Sequence, residues 1–388
     1  MKKALQIIGI VFIALFAAIY ISDYNYLLNA VQKIYLTGHT TAYLSDYQRF
    51  DNRIIPPSNN PQPWPAHPEF NVYQTSESLE TYHQETGTVA FLIIKNDSLL
   101  YEKYYDGYGP SSKSNSFSMV KSIVSGLLGK AIDDGFIKSI DQPVRDFIPE
   151  LKGPYADQVT VGDLATMSSG QLWEENYYGA LSVTTESYFT EDLRSLILRQ
   201  PITENPAQSF DYKSGTTQLL GMVIEKATGQ TLSGYFYDSF WHPMGAEKEA
   251  YWQLDSSGSA MEKAYCCLAS NARDFARYGK LIKNHGRWNG AQILDSTYVA
   301  RSVQPRFDQD SEYGYGWWLE RYKDQQVYMM RGHLGQYVIV FPALDLIAVR
   351  LGHSKGKKIE DNPYTEDIYV YMDAAMEMNA NVRTNPAP

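Results

Sequence analysis

The chain has 388 residues, of which 44% are hydrophobic and 20% are charged, and its formal net charge is −10. That length suffices for one large domain or for two ordinary domains with cores of their own. The acidic balance argues against a nucleic-acid partner, because such proteins carry a basic surface. Seven His residues without an HExxH pattern argue against a bound metal, and no organic cofactor is implied. Cys266 and Cys267 are adjacent, and neighbours rarely meet disulfide geometry, so we expect no disulfide framework.

The N-terminal stretch is a candidate membrane anchor. Residues 4–21 carry no charged side chain over 18 positions, which approaches the length of a bilayer span. Lys2 and Lys3 precede this stretch, and that asymmetry favours a cytoplasmic N-terminus. A cleaved secretory signal and a buried helix are the alternatives. We therefore expect a single-pass signal anchor over residues 1–23 in a bacterial inner membrane, with the folded domain in the periplasm.

The segment after the anchor has an unusual composition. Residues 56–68 hold six of the 18 Pro residues, which excludes a helix or a central strand and indicates a spacer or a wrapping arm. We expect residues 24–69 to form a juxtamembrane segment and Pro-rich spacer, residues 70–380 to form the folded domain, and residues 381–388 to form a tail.

Strand-rich runs at both ends of the domain enclose a mostly helical middle. Residues 89–95 and 99–104 predict a hairpin. An apolar helical period then predicts a helix from 118 to Gly135, and further helices are predicted over 216–228 and 272–284. Strands are predicted over 315–320, 326–331, 337–341 and 346–351, and a closing helix over 365–378. The pattern indicates an α/β protein of the α+β type, in which helices flank one antiparallel sheet and a mostly helical subdomain is inserted. A ligand cleft is expected at the junction.

Ser118 and Lys121 open the first long helix of the domain, one turn apart on the same face. A Ser hydroxyl becomes a nucleophile when a base removes its proton, and a Lys with a lowered pKa is such a base. The helix N-terminus stabilises an alkoxide, and the Ser118 backbone N–H is free to donate to an oxyanion. The alternative is a helix-capping Ser with a surface Lys. A second S-x-x-K match at Ser354 has no helix after it, so we reject it.

Two later motifs carry further candidates. Tyr212 lies in a turn before the helix over 216–228, from which its phenol can pass a proton between nucleophile and leaving group. A ring packed in the core is the alternative. The segment 332–335 leads into the strand over 337–341, where the backbone N–H of Gln336 is placed to face an oxyanion. A plain hairpin turn is the alternative there.

The three motifs together resemble those of a known enzyme family. S-M-V-K at 118–121, Y-K-S at 212–214 and H-L-G at 333–335 are similar to the motifs of the penicillin-recognising serine hydrolases. The nearest branch is the class C β-lactamase-like group, with its esterases and 6-aminohexanoate-dimer hydrolases. The stretches 134–151, 159–177, 210–229 and 270–282 extend the similarity. The resemblance implies a β-lactamase/transpeptidase-like fold.

The resemblance also implies roles for single residues. Ser118 becomes the acylated nucleophile, Lys121 its base and Tyr212 the proton shuttle, with the backbone N–H groups of Ser118 and Gln336 as the oxyanion hole. The implied substrate-binding residues are Tyr177, Ser214, His333 and Gly335.

One departure from the family pattern affects the expected substrate. His333, Leu334 and Gly335 stand where β-lactamases and carboxypeptidases have Lys-Thr-Gly. The missing ammonium and hydroxyl help to recognise the carboxylate of β-lactams, which weakens the expectation of penicillin turnover. We predict a membrane-anchored serine hydrolase that cleaves an ester or amide bond of a small molecule. A β-lactamase or D-alanyl-D-alanine carboxypeptidase, and a catalytically silent cell-wall-peptide binding module, are the alternatives.

Overall fold

The computed structural model describes residues 1, 3, 5–7, 19–309 and 312–382. Most of the predicted anchor over 4–21 lies outside the described residues, as do residues 383–388 of the predicted tail. No helix formed by the described residues is both long and apolar enough to cross a bilayer.

The described strands form three antiparallel sheets, with orders β3-β2-β12-β11-β10-β9, β1-β5-β6-β4 and β7-β8. The strands are β1 (Asn52–Ile55), β2 (Thr88–Lys95), β3 (Ser98–Tyr104), β4 (Ser114–Asn115), β5 (Ala250–Gln253), β6 (Leu268–Ser270), β7 (Arg287–Trp288), β8 (Ala291–Gln292), β9 (Trp318–Tyr322), β10 (Gln325–Gly332), β11 (Gln336–Phe341) and β12 (Leu346–Gly352).

The six-stranded sheet joins the two ends of the domain. Strands β2 and β3 form the predicted N-terminal hairpin, and β12 pairs with β2 so that Leu346 lies opposite Lys95. The predicted β11–β12 hairpin is present, with Phe341 opposite Leu346. The prediction of one antiparallel sheet built from N- and C-terminal segments is confirmed.

The helices lie on both faces of this sheet and in the middle of the chain. They are α1 (Tyr26–Lys33), α2 (Glu77–Glu85), α3 (Val120–Asp133), α4 (Val161–Ala165), α5 (Val183–Phe189), α6 (Leu193–Leu198), α7 (Ser214–Thr228), α8 (Leu232–Phe236), α9 (Ala272–Lys283), α10 (Ser296–Ser302) and α11 (Glu366–Asn381).

The sequence of strand β2 is almost continuously apolar because both faces of the strand are buried. Alternate side chains of a strand point to opposite faces of the sheet, and both faces are covered here. Leu92 and Ile94 join the large core that includes α3, α7 and α9. Phe91 and Ile93 join a second core beneath α11, with Tyr371 among its members. The sheet is therefore a central layer between helices, as predicted.

Residues 24–69 pack against the rest of the domain. Strand β1 extends the four-stranded sheet by pairing with β5. In the Pro-rich segment the indole of Trp64 is buried and donates to the Arg273 carbonyl at 2.9 Å. Ser58 donates to the carbonyl of His242 at 2.9 Å. Of the two readings of the Pro-rich segment, the wrapping arm agrees with these contacts.

The two cysteines differ from expectation. The sulfurs of Cys266 and Cys267 are bonded to each other, although neighbours in sequence rarely meet disulfide geometry. Cys267 adopts a φ of +78°, an uncommon backbone conformation for a residue other than glycine. A bond between adjacent residues closes no long chain loop, so it does not act as a framework that holds distant segments together.

Candidate active site

Ser118 lies in a tight turn whose backbone is strained. The 3-10 turn Phe117–Met119 leads into α3, and Phe117 has a φ of +46°. A bulky residue rarely adopts a positive φ, and such strain persists only where surrounding contacts impose it. Here the Asn115 side chain accepts a hydrogen bond from the Phe117 N–H at 2.9 Å, and it donates to the buried Asp46 at 2.9 Å. Ser118 itself remains partly exposed at the start of the helix.

Lys121 is buried and its amine contacts three oxygens. Nζ lies 2.9 Å from Ser118 Oγ, 3.1 Å from Ser214 Oγ and 2.7 Å from the Tyr265 carbonyl. The carbonyl only accepts. Ser214 donates its own proton to Glu175 at 2.6 Å, so its oxygen also acts as an acceptor toward Lys121. The charged amine donates to all three oxygens. When it is neutral, its two N–H bonds donate to Ser214 and to the Tyr265 carbonyl, and its lone pair is left for the Ser118 hydroxyl.

The surroundings of Lys121 favour this neutral form. Burial lowers the pKa of Lys121 to about 8, although the negative charge of Glu175 opposes the shift. Burial has this effect because the low-dielectric interior disfavours the charged form of an amine. The Ser118–Lys121 pair therefore has the distance that nucleophile activation requires, and the lowered pKa makes the neutral amine accessible near pH 8.

Tyr212 borders the same pair. Lys121 Nζ lies 5.1 Å from the centre of its ring, and the indole of Trp318 packs against the ring at 5.4 Å. Burial raises the pKa of Tyr212, Glu175 adds to the increase, and a hydrogen bond with Ser118 opposes it. The phenol is therefore protonated at neutral pH and is able to donate a proton beside Ser118.

Glu175 is a site residue that the sequence predictions missed. Its carboxylate accepts from the Ser214 N–H at 2.7 Å, from Trp173 Nε1 at 2.8 Å and from the Tyr177 hydroxyl. These bonds tie an irregular loop to the N-terminus of α7. A carboxylate at a helix N-terminus is a sequence signal in principle, but Glu175 lies far from α7 in the chain.

The backbone of β10 and β11 approaches the nucleophile turn closely. A Cβ atom on Gly332 would lie 2.2 Å from the Ser116 carbonyl oxygen, so only glycine permits this contact. Gln336 lies opposite Gly332 in the β10–β11 pairing, and its side chain is fixed by a bond to the Gly352 carbonyl at 2.7 Å. The predicted oxyanion-hole partners, Ser118 and Gln336, are thus on segments that meet.

The predicted substrate-binding residues separate into two groups. Tyr177, Ser214 and His333 line a cavity of about 390 Å³ that Ser118 also lines. The His333 ring stacks on Tyr177 at 5.5 Å. Gly335 is placed elsewhere: its carbonyl accepts from Arg350 at 2.7 Å, and a Cβ there would meet the Arg350 guanidinium at 2.2 Å. The structure thus gives Gly335 a place in the turn, against Arg350, instead of contact with the cavity.

Comparison with known proteins agrees with this geometry. A family model described as Beta-lactamase matches residues 76–369. The chain belongs to the beta-lactamase family. The 6-aminohexanoate-dimer hydrolase of Paenarthrobacter ureafaciens is 28% identical over an alignment of 240 residues, and the match covers 57% of this chain and 58% of that protein. The chain thus aligns with less than two thirds of this curated relative.

Solved structures extend the agreement to the fold. A 6-aminohexanoate-dimer hydrolase homologue from Bacillus anthracis superposes with a TM-score of 0.71 at 19% identity, covering 93% of this chain and 95% of that one. A class C β-lactamase superposes with a TM-score of 0.58 at 16% identity, covering 79% and 95%. At these identities the likeness establishes the fold alone. The predicted family and β-lactamase/transpeptidase-like fold are confirmed, and the predicted class of β-lactamase-related serine hydrolases agrees with these relatives.

Proposed function

We propose that the chain is a serine hydrolase that cleaves an ester or amide bond through an acyl-enzyme on Ser118. One observation carries the proposal: Lys121 Nζ lies 2.9 Å from Ser118 Oγ, while its other polar contacts go to oxygens that accept its N–H bonds. A capping Ser with a surface Lys does not account for a buried amine held in this way.

In the proposed acylation step, Lys121 takes the Ser118 proton as Oγ attacks the substrate carbonyl carbon. The backbone N–H groups of Ser118 and Gln336 donate to the oxyanion that forms. Tyr212 gives its proton to the leaving oxygen or nitrogen as the scissile bond breaks, and it regains a proton from Lys121.

In the proposed second step, water hydrolyses the acyl-enzyme. The Lys121–Tyr212 pair removes a proton from the water as it attacks the acyl carbon, and the bond to Ser118 Oγ breaks. Ser118 regains a proton and the carboxylic acid leaves. Ser214, held by Glu175, keeps the Lys121 amine oriented in both steps.

Labelling with a fluorescent fluorophosphonate tests the proposal. The probe phosphonylates an activated Ser, so the wild-type protein should be labelled and Ser118→Ala should not. Ser122→Ala, which removes a buried Ser one turn along α3, is the matched control and should label like wild type. Equal labelling of wild type and Ser118→Ala would rule the assignment out.

The location of the enzyme also belongs to this proposal. The uncharged stretch over 4–21 behind Lys2 and Lys3 supports a single-pass anchor with a periplasmic domain. Separation of membrane and soluble fractions, followed by protease treatment of spheroplasts, tests it. We expect the protein in the membrane fraction and its domain to be digested; a protease-resistant or soluble protein contradicts the proposal.

A further inference from the structure

The cavity beside Ser118 has an almost uncharged lining. Of the described residues that form it, none is Asp, Glu, Lys or Arg. Among the described lining residues, His333 has the single side chain that is able to carry a positive charge. Its ring lies between Tyr177 and Phe117, at 5.5 Å from each. Burial, with the charge of Lys355, lowers the pKa of His333 to about 4, so the ring is neutral at neutral pH.

Helix α1 supplies one wall of this cavity. The lining residues Leu27, Ala30, Val31 and Ile34 follow the spacing of a single helical face, so an aliphatic stripe faces the space beside Ser118. The helix is held in place by bonds to the domain. Tyr26 donates to the Ala180 carbonyl at 3.1 Å, and the Asn29 side chain donates to the Phe189 carbonyl at 3.0 Å.

The position of the cavity indicates which part of the substrate it holds. Ser118 and Ser214 line it, whereas Tyr212 and Lys121 do not. In the proposed mechanism Tyr212 protonates the leaving group, so the leaving group departs on the side of Tyr212. The space that Tyr212 does not border is then left for the acyl group.

We infer that this site takes an ester or amide with an uncharged, aliphatic acyl group, which the stripe on helix α1 covers. The inference rests on the proposed function and specifies its substrate class. An acyl group that ends in an ammonium or a carboxylate finds no charged partner in the described lining, and it loses hydration on entering. An aliphatic chain gains free energy from the same burial.

Two ester comparisons with the full chain test the inference. The p-nitrophenyl ester of heptanoic acid should have a kcat/KM at least about tenfold above that of the acetate ester, since each added methylene is buried. The ester of 6-aminohexanoic acid has nearly the same shape as the heptanoate, with an ammonium in place of the terminal methyl. Its kcat/KM should be at least about tenfold below that of heptanoate. Equal values, or a preference for acetate or for the amine, would overturn the inference.

A pair of variants on α1 tests whether this helix causes the preference for the heptanoate ester. Val31 lines the cavity and is 45% exposed, so Val31→Asp should fold. It should lower the ratio of kcat/KM for heptanoate to kcat/KM for acetate by about tenfold, because it places a charge beside the chain. Gln32→Asp adds the same charge at an exposed neighbour that does not line the cavity, and it should behave like wild type. Equal effects of both variants on heptanoate would contradict a role for α1.

The readouts separate failure of this inference from failure of the proposed function. If Ser118 reacts with the fluorophosphonate and acetate is hydrolysed without preference for heptanoate, the substrate class is wrong and the mechanism stands. If no ester is hydrolysed and Ser118 is not labelled, both are wrong. Diheptanoyl phosphatidylcholine in micelles, compared with the soluble heptanoate ester, distinguishes a phospholipid from a soluble ester as the source of the acyl group; hydrolysis of either supports an aliphatic acyl substrate.

Discussion

At the scale of single residues, the site depends on how one amine is surrounded. In the proposed mechanism Lys121 serves as the base, since its N–H bonds are occupied by Ser214 and the Tyr265 carbonyl and burial lowers its pKa to about 8. Glu175 affects both the hydrogen bonding and the pKa of Lys121. It orients Ser214 through a 2.6 Å bond, and its negative charge raises the Lys121 pKa.

The pH dependence of kcat/KM follows from this. The reaction needs the neutral amine, so activity should fall as pH drops below about 8. Glu175→Gln removes the charge that raises the Lys121 pKa, so the fall in activity should occur at a lower pH. Glu174→Gln, at the exposed neighbouring position, should leave that pH unchanged. Initial rates across the pH range give the pH at which kcat/KM falls. If that pH is the same in Glu175→Gln as in wild type, the Glu175 charge does not raise the Lys121 pKa.

Substitution of the proton-transfer residues gives a second residue-scale prediction. Lys121→Ala and Tyr212→Phe should each lower kcat for ester hydrolysis by about 10²- to 10⁴-fold, the usual contribution of a positioned acid or base. Tyr178→Phe, on an exposed ring that also borders the cavity, should change kcat little. Steady-state kinetics measure this; a loss of less than about threefold would remove the substituted residue from the mechanism.

At the scale of elements, the nucleophile turn is held by a close backbone contact with strand β10. Gly332→Ala would place a Cβ 2.2 Å from the Ser116 carbonyl oxygen, and neither backbone atom is free to rotate away. We expect kcat/KM to fall at least about tenfold, since small displacements of catalytic groups are costly. Gly109→Ala has no atom within 4 Å of the new Cβ and should retain activity. Wild-type kinetics for Gly332→Ala would show that the contact does not position Ser118.

At the scale of the whole molecule, residues 24–69 connect the start of the chain to the site. Asp46 is fully buried and accepts from Asn115 at 2.9 Å and from Tyr188 at 2.7 Å. Asn115 in turn holds the strained Phe117 beside Ser118. Removal of this segment would leave buried polar groups without partners, each costing about 1–3 kcal/mol.

Truncation tests this connection. A fragment that begins at residue 20 keeps α1, β1 and Asp46, and it should unfold in one transition and hydrolyse esters. A fragment that begins at residue 56 loses these elements and the aliphatic wall of the cavity, so its midpoint of thermal unfolding and its kcat/KM should both fall. Thermal unfolding followed by circular dichroism gives the midpoint, and ester assays give kcat/KM. Equal stability and activity of both fragments would show that residues 20–55 are a spacer.

Much of the fold could be predicted because its signals are local. The apolar run of β2 and the helical period after Ser118 fix those elements from their own residues. The ordered motifs at Ser118, Tyr212 and His333 supplied the family. The pairing of β1 with β5 could not be predicted, since it joins residues about two hundred positions apart and carries no local signal.

The remainder of the site depends on tertiary contacts that sequence patterns do not encode. Glu175 reaches Ser214 from an irregular loop through side-chain hydrogen bonds. Gly335 was expected at the substrate because it stands in a family motif, yet Arg350 packs against it from the neighbouring strand. The bond between Cys266 and Cys267 coincides with an uncommon backbone conformation at Cys267, which composition cannot reveal.

The central claim is that Ser118 carries the acyl group during turnover, and an acid-quenched reaction tests it most directly. The full chain is mixed with excess p-nitrophenyl heptanoate, quenched in acid within milliseconds to seconds, digested and analysed by mass spectrometry. The claim predicts a peptide containing Ser118 that is heavier by one heptanoyl group, absent from Ser118→Ala and from protein quenched after the substrate is consumed. Ester hydrolysis by Ser118→Ala at the wild-type rate, or a heptanoyl group on another residue that turns over at the rate of catalysis, would contradict it.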